Sequence, residues 1–293
     1  MSFSELQLRD LCLVAETAAK AAGKLINSYH QREVVVQTKQ GGNTKASQVV
    51  TEVDLACQSL ILSHLAASVE QYDLAVLSEE LEDDRQRLRK QAFWCIDPLD
   101  GTLAFTESKP GYAVSIALVS QSGTPQIGVI YDPVNQVLYS AIRGLGAKRN
   151  GRHWRLPDTN DSQTLSLPLD RSLLQRCDFT HIRQTLMDSV KQKGMRYLNE
   201  IHHAGAVMNA CWALETPPAC YFKLPKKQQG GGSFWDFAAT ACIYHEMGAL
   251  CCDFEGKELD LNRPDTTFMN QSGVIFSTEP DWVELIRALN SRQ

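Results

Sequence analysis

Between Phe93 and Thr102 the chain reads "FWCIDPLDGT", which sets two carboxylates three residues apart directly behind an apolar run. Asp97 falls at or just beyond the end of a buried strand. Pro98 then removes a backbone donor and bends the chain, and Asp100 arrives on the same turn. Two carboxylates converging on a strand end repel each other unless a proton or a cation lies between them, and hard divalent cations take oxygen ligands of this kind. Gly101 and Thr102 add a sterically open backbone and a hydroxyl at what reads as a helix start, where amide groups favour an anion. One turn therefore offers a metal site on one side and a phosphate site on the other. The alternative is a plain loop, because Asp-Gly is a common turn pair.

Other acids could complete such a site. Asp54 stands near the start of a helix, where Thr51-x-x-Asp54 resembles a capping box. Glu79 and Glu80 end the apolar strand "LAVLSEE", and Asp236 in "FWDFAATA" lies at a helix N-terminus. Taken singly, each reads as a helix cap or a solvated loop end. His202 and His203 are adjacent and so point in different directions, which suits a loop or surface role better than metal binding. Lys226 and Lys227 lie in a glycine-rich loop and can be simply solvated. No cysteine signature and no Ser/His/Asp arrangement of comparable strength is present.

The elements that must carry these residues follow from periodicity. Apolar positions from Leu11 to Tyr29 fall at three-and-four spacing, predicting a long first helix. "REVVVQTK" reads as a strand, "QGGNTKASQ" as a polar loop, and a second helix runs from near Thr51 through "LACQSLILSHLAASV". "LEDDRQRLRK" is a solvated helix or loop. "YAVSIALVS", "TPQIGVIYDP" and "QVLYSAIRG" predict a largely antiparallel sheet flanked by the two early helices. Asn150-Gly151 marks a further hairpin. The polar stretch at about residues 155–165 is the candidate boundary between units at 1–157 and 158–293. The second half alternates strands ("SLPL", "MRYLNEI", "ACYFKL", "GVIFST") with helices over "THIRQTLMDSVKQKG", "AGAVMNACWALE", "DFAATACIYHEMG" and "DWVELIRALNS", as an α/β layer does.

Composition sets the limits. The 293 residues are 43% hydrophobic and 22% charged, with a formal net charge of -5 and scattered basic residues. That is an ordinary globular composition, without the basic footprint of a nucleic-acid or membrane-surface binder. A small-molecule ligand is the expectation. The nine cysteines are dispersed, with Cys12, Cys57, Cys95 and Cys242 in apolar surroundings, and read as reduced core residues. No signal-peptide core and no run of about 18 apolar residues is present, so a cytoplasmic protein is expected.

Four segments, "VVTEVDLACQSLI", "VLSEE", "WCIDPLDGTLAFTESKPGYAVSIALV" and "FWDFAATACIYHEMGALCCDFEG", occur in the order of the signatures of the inositol monophosphatase family. The chain resembles that family over most of its length, most weakly between about residues 155 and 200. Its magnesium-dependent, lithium-sensitive phosphatases include 3'(2'),5'-bisphosphate nucleotidases and fructose bisphosphatases. The resemblance implies an α/β chain, a layered αβαβα sandwich of mixed α+β character. The N-terminal half would supply most metal ligands, and the C-terminal half would complete the site and set specificity.

By the same resemblance, Glu79, Asp97 and the Leu99 carbonyl would hold a first Mg2+, and Asp97, Asp100 and Asp236 a second. A third, weaker site would use Glu79 again, and Mn2+ could substitute. Asp54 and Thr102 would orient and deprotonate the attacking water, the Gly101 and Thr102 amides would grip the phosphate, and Glu80 would support the ligands from outside. Homodimers are common in the family. The chemistry has a physical reason: an anionic phosphate ester repels hydroxide until cations neutralise its oxygens, and two metals about 3.5–4 Å apart can hold nucleophile and leaving oxygen in line.

Selectivity should come from the second half. Inositol-specific members typically end the strand before the Trp-Asp motif with an acidic residue, whereas this chain has Lys223 in "YFKLP". A cation there suits a substrate with a second phosphate. "SEE" in place of the "GEE" common among inositol phosphatases points the same way. The expected reaction is therefore adenosine 3',5'-bisphosphate to AMP and phosphate, with inositol 1-phosphate as the alternative substrate. A catalytically silent regulatory or binding protein is the alternative from another class. It should lack a metal carboxylate or the Thr102 hydroxyl, and none is missing.

Overall fold

The computed structural model describes residues 3–29, 36–38, 49–159 and 162–290, with the strands at 36–38 and 49–51 described through their backbone alone. Helix α1 (Glu5–Tyr29) begins six residues before the periodic run at Leu11. Its entry is fixed by a reciprocal cap, Ser4 N–H to Gln7 Oε1 (2.8 Å) and Gln7 N–H to Ser4 Oγ (3.3 Å). Ser4-x-x-Gln7 is a legible capping box. Strand β1 (Val36–Thr38) pairs with β2 (Val49–Thr51), which runs straight into α2 (Glu52–Gln71). The segment "QGGNTKASQ" and the Thr51 side chain with its capping box lie outside the described residues.

The central sheet contains β3 (Ala75–Ser78), β4 (Ala92–Asp100), β5 (Ala113–Ser120), β6 (Pro125–Asp132), β7 (Val137–Ile142), β8 (Gly146–Arg149) and β9 (Arg152–Trp154), in that spatial order. Only the β3–β4 pairing is parallel. Strand β4 is buried along its whole length, and its alternation sorts side chains between two cores. Trp94 and Ile96 pack under α1 and α2, while Phe93 and Cys95 face the opposite layer. On α1 that packing uses small residues: Ala15, Ala18, Ala19 and Ala22 are fully buried, and a Cβ on Gly23 would stand 2.2 Å from Tyr131.

Helices α6 (Ala206–Glu215) and α7 (Phe234–Met247) form the opposite layer. Beyond them, β10 (Thr164–Pro168) and β11 (Tyr197–Ile201) pair in parallel, and β12 (Cys220–Lys223), β14 (Val274–Ser277) and β13 (Leu250–Cys252) form an antiparallel sheet in that order. A single parallel bridge, Ser166 to Ala219, joins the two. The helices α4 (Arg171–Leu174), α5 (Phe179–Gln192) and α8 (Pro280–Asn290) complete the second half, with α5 and α8 covering the outer core. The layers run α, β, α, β, α. Strand–helix alternation in the second half thus yields an antiparallel sheet as well as a parallel pair. The polar stretch after β9 joins halves that share one large apolar cluster, in which Phe93 and Ile130 meet Phe237 and Phe276.

The segment expected to be solvated, "LEDDRQRLRK", carries a buried cation. Arg87 is 1% exposed. Its guanidinium donates to Asp83 Oδ2 (2.9 Å), Asn262 Oδ1 (2.6 Å) and the Arg263 carbonyl (2.9 Å), and it lies 5.5 Å from the centroid of the Phe234 ring. A charged run placed Arg87 on the surface by default; the carbonyls and amides of the 262–263 loop, distant in sequence, satisfy it inside. All described cysteines are free, and every one except Cys177 is at least half-buried, matching the reduced-core reading. No helix among the described residues is long and apolar enough to cross a membrane.

Candidate active site

Parity along β4 decides which way the first carboxylate faces. Residues 93 and 95 look toward α7, and Asp97 continues that series. The register of β4 against β5 shifts between Asp97 and Asp100, the bulge expected where Pro98 interrupts a ladder. Asp97 is 1% exposed and its Oδ1 accepts the Leu99 N–H at 3.1 Å. Gly101, at φ 82°, then opens the short helix α3 (Thr102–Thr106). That left-handed turn needs glycine twice over, because a Cβ would also meet the Gly111 carbonyl at 2.7 Å.

Asp100 is seated on the start of α6. The Ala206 N–H donates to its Oδ1 (3.1 Å) and the Val207 N–H to its Oδ2 (2.9 Å). Gly205 makes this approach possible, since a Cβ there would lie 2.2 Å from Asp100 Oδ2. Asp236 comes from the first turn of α7, where its Oδ2 also accepts the Ser233 N–H, so the predicted helix-start position and its capping role coexist. Oxygens of Asp97, Asp100 and Asp236 all lie within 4.8 Å of one another.

Three carboxylates so close raise one another's cost of ionisation. Burial first, then the Asp236 charge, pushes the Asp100 carboxyl well above the usual range, against the pull of the Val207 amide. Burial lifts Asp236 to about 6, with Glu79 adding to the rise and Lys223 opposing it. Glu79 sits in the turn after β3, its N–H bonded to the Ile96 carbonyl (3.1 Å), and its charge reaches both aspartates. Glu80 follows in the same turn, half-buried.

On the other side of the turn, the Thr102 hydroxyl lies 3.2 Å from Asp54 Oδ1 and 3.1 Å from the Leu99 carbonyl, either of which can accept its one proton. Asp54 is 1% exposed on α2 and reaches this point across the fold. The structure thus brings Asp54, Thr102, Leu99, Asp97, Asp100 and Asp236 together around one turn, with Glu79 in electrostatic reach. This all-oxygen, mutually repelling, buried donor set fits a hard divalent cation. Lys223, whose charge reaches both Asp100 and Asp236, is already engaged.

That engagement was not visible in the sequence. Lys223 Nζ lies 2.9 Å from Asp170 Oδ2, both side chains being 16% exposed. Asp170 also accepts the Asn209 amide (3.2 Å) and the Tyr221 hydroxyl (3.1 Å) on Oδ1. Burial works against the Lys223 charge, but Asp170 and then Asp236 hold its pKa up. Asp170 sits at a strand–helix join in the weakest part of the resemblance, and no spacing rule pointed to it. Gly205 and the Ala206 and Val207 amides were likewise missed. The nearest signal was the helix start in "HAGAV".

The family model for the inositol monophosphatase family matches residues 7–291. Nus factor SuhB of Escherichia coli K12 is 31% identical over 252 residues, covering 83% of this chain and 85% of that protein. The structure of an IMPase/NADP phosphatase complexed with NADP and Ca2+ superposes with a TM-score of 0.75 over 99% of this chain and 98% of that one, at 20% identity. The Thermotoga maritima IMPase gives 0.72 over 94% of each chain at 22% identity. The two structural likenesses are of fold.

Proposed function

The chain belongs to the inositol monophosphatase family, and from that premise we propose that it is a magnesium-dependent phosphomonoester hydrolase acting on a nucleotide 3'- or 2'-phosphate. Adenosine 3',5'-bisphosphate is the proposed substrate. The observation that carries the metal-dependent hydrolase reading is the convergence of Asp97, Asp100 and Asp236 on one point, with the Thr102–Asp54 pair across the same turn; the nucleotide follows from the cation Lys223 where inositol-specific members carry an acid. Asp97, Asp100 and Asp236, with Glu79 and the Leu99 carbonyl, would hold the divalent ions. Once bound, those ions neutralise phosphate oxygens and lower the pKa of water to the point of attack at neutral pH.

The chain's own residues then have defined tasks. Asp54 Oδ1 holds the Thr102 hydroxyl so that Thr102 Oγ accepts a proton from the attacking water and passes its own to Asp54. The Gly101 and Thr102 amides grip the phosphate. The amides of Ala206 and Val207 fix the carboxylate plane of Asp100, so that it need not reorganise when the ion enters. Glu80 supports the turn beside Glu79.

A panel of adenosine 3',5'-bisphosphate, NADP, inositol 1-phosphate and fructose 1,6-bisphosphate, assayed for phosphate release with Mg2+, tests the reading. A preference for the inositol ester would replace the nucleotide assignment with the inositol alternative. Full activity in chelator, or in Asp97→Asn, would defeat the metal mechanism. The Nus-factor name of the Escherichia coli relative favours a second reading, a regulatory binding role for the same fold. Absence of phosphate release from every ester in the panel would support it.

A further inference from the structure

Lys223 shares its charge with Asp170, so a second phosphate on the substrate needs other cations, and the structure supplies them next door. A cleft of about 670 Å³ is lined by Lys109, Pro110, Arg171, Leu174, Gln175, His202 and His203. Its volume is within the range of small-molecule pockets, and among the described residues no carboxylate is part of its lining, although Glu107 pairs with two of its cations. Two of the three segments that build it meet beside Asp100, and the third follows Asp170, the partner of Lys223. Lys109 and Pro110 precede Gly111, whose carbonyl accepts the Gly205 N–H at 2.7 Å. His202 and His203 precede Gly205 and the two amides that hold Asp100, and Arg171 follows Asp170. Three residues span at most about 10 Å, so the cleft lies within a nucleotide's length of the carboxylates.

The cations are positioned but not saturated. Arg171 makes a two-pronged pair with Glu107 (2.7 and 2.8 Å), and Lys109 reaches the same carboxylate at 3.0 Å. One carboxylate serves two cations, leaving a positive surplus. The fork uses two of the five guanidinium N–H donors, and Lys109 spends one of three. Glu107 is held down to about 2 by Arg171 and Lys109. His203, whose ring centroid is 5.2 Å from that of Trp212, is shifted toward its neutral form by partial burial and then by His202, Arg171 and Lys109, so the cations' field converges on the cleft. Pro110, Leu174 and the imidazoles give it an apolar lining against which a base or sugar can rest.

We propose that this cleft, through Arg171 and Lys109, binds the second phosphate of a nucleotide substrate whose 3'- or 2'-phosphate reaches Asp97, Asp100 and Asp236. The inference rests on the nucleotidase reading above and is tested apart from it. Binding of adenosine 5'-monophosphate, which carries only the second phosphate, is measured by calorimetry in chelator, where the metal site is idle. Loss of one charge-assisted contact should weaken binding about tenfold in Arg171→Gln and in Lys109→Gln. The exposed Lys109 variant guards against a folding defect at Arg171. Equal affinity in wild type and both variants would overturn the proposal whatever the enzyme hydrolyses. In turnover, the ratio of kcat/KM for adenosine 3',5'-bisphosphate over adenosine 3'-monophosphate should fall about tenfold in either variant. An unchanged ratio would again count against the cleft, whereas failure of the wild type to hydrolyse either nucleotide would sink the function and not the binding site.

Discussion

Asp236 caps α7 through the Ser233 amide while its charge faces Asp97 and Asp100, so one carboxylate serves the fold and strains it. Between the ordinary carboxylate pKa of 3.8 and about 6, the folded metal-free protein keeps a proton that the unfolded chain has released. Stability therefore falls as pH rises through that window, by at most about 3 kcal/mol. Asp236→Asn keeps a capping oxygen and removes the charge. In chelator at pH 7 it should unfold at higher denaturant than wild type, with a flatter stability profile between pH 4 and 6, and it should lose phosphatase activity. A less stable Asn variant under those conditions would show that the carboxylate cluster is not under electrostatic strain. Thr102 offers a sharper chemical test: Thr102→Ala should cost about 10²–10⁴ in kcat, and Thr102→Ser should restore most of it. Equal losses in both would assign Thr102 to packing alone.

At the scale of elements, the site depends on where two helices begin. The start of α6 comes close enough to donate two amides to Asp100 only because position 205 has no side chain. Gly205 has φ -69° and ψ 174°, a conformation open to any residue, so the constraint is contact and not backbone strain. Gly205→Ala should therefore leave α6 intact while pushing Asp100 off its amides. The expected readout is a shift of about tenfold or more in the Mg2+ concentration needed for half-maximal activity, with far-UV circular dichroism unchanged. An unaltered Mg2+ requirement would mean that the two amides do not position Asp100. The bulge in β4 is the matching device on the other side, since it places Asp97 and Asp100 on one turn without unpairing Asp100 from Ala113.

Across the whole molecule, Arg87 ties the segment after Glu80 to the 262–263 loop, and the chain just beyond that loop holds the entry of α7 through the Thr267 and Gly232 carbonyls. Arg87→Met keeps much of the volume but strands Asp83 and Asn262, so denaturant titration should show a loss of about 3 kcal/mol. A loss under about 0.5 kcal/mol would mark the network as dispensable. Local pattern was enough for much of this architecture. Period-2 alternation and turn residues marked the strands of the central sheet, and three-and-four spacing marked the helices, because both depend on neighbours in the chain. Asp97, Asp100 and Thr102 stood out locally, at a strand end that runs into a helix start, whereas Asp54, Glu79 and Asp236 read singly as caps or loop ends and were joined to them through the family resemblance. The partners of charges lay beyond that reach. Arg87 looked solvated and Lys223 looked available, yet both are engaged with residues placed beside them only by layer packing. The cleft of Lys109, Arg171, His202 and His203 is likewise assembled from three loops far apart in the chain. What the sequence by itself determined is most of the elements and the acidic positions that they carry. What the tertiary structure decided is which acid each cation meets, Asp170 for Lys223 and a single Glu107 for both Arg171 and Lys109, because pairing energy depends on distances of a few ångströms that no local spacing encodes.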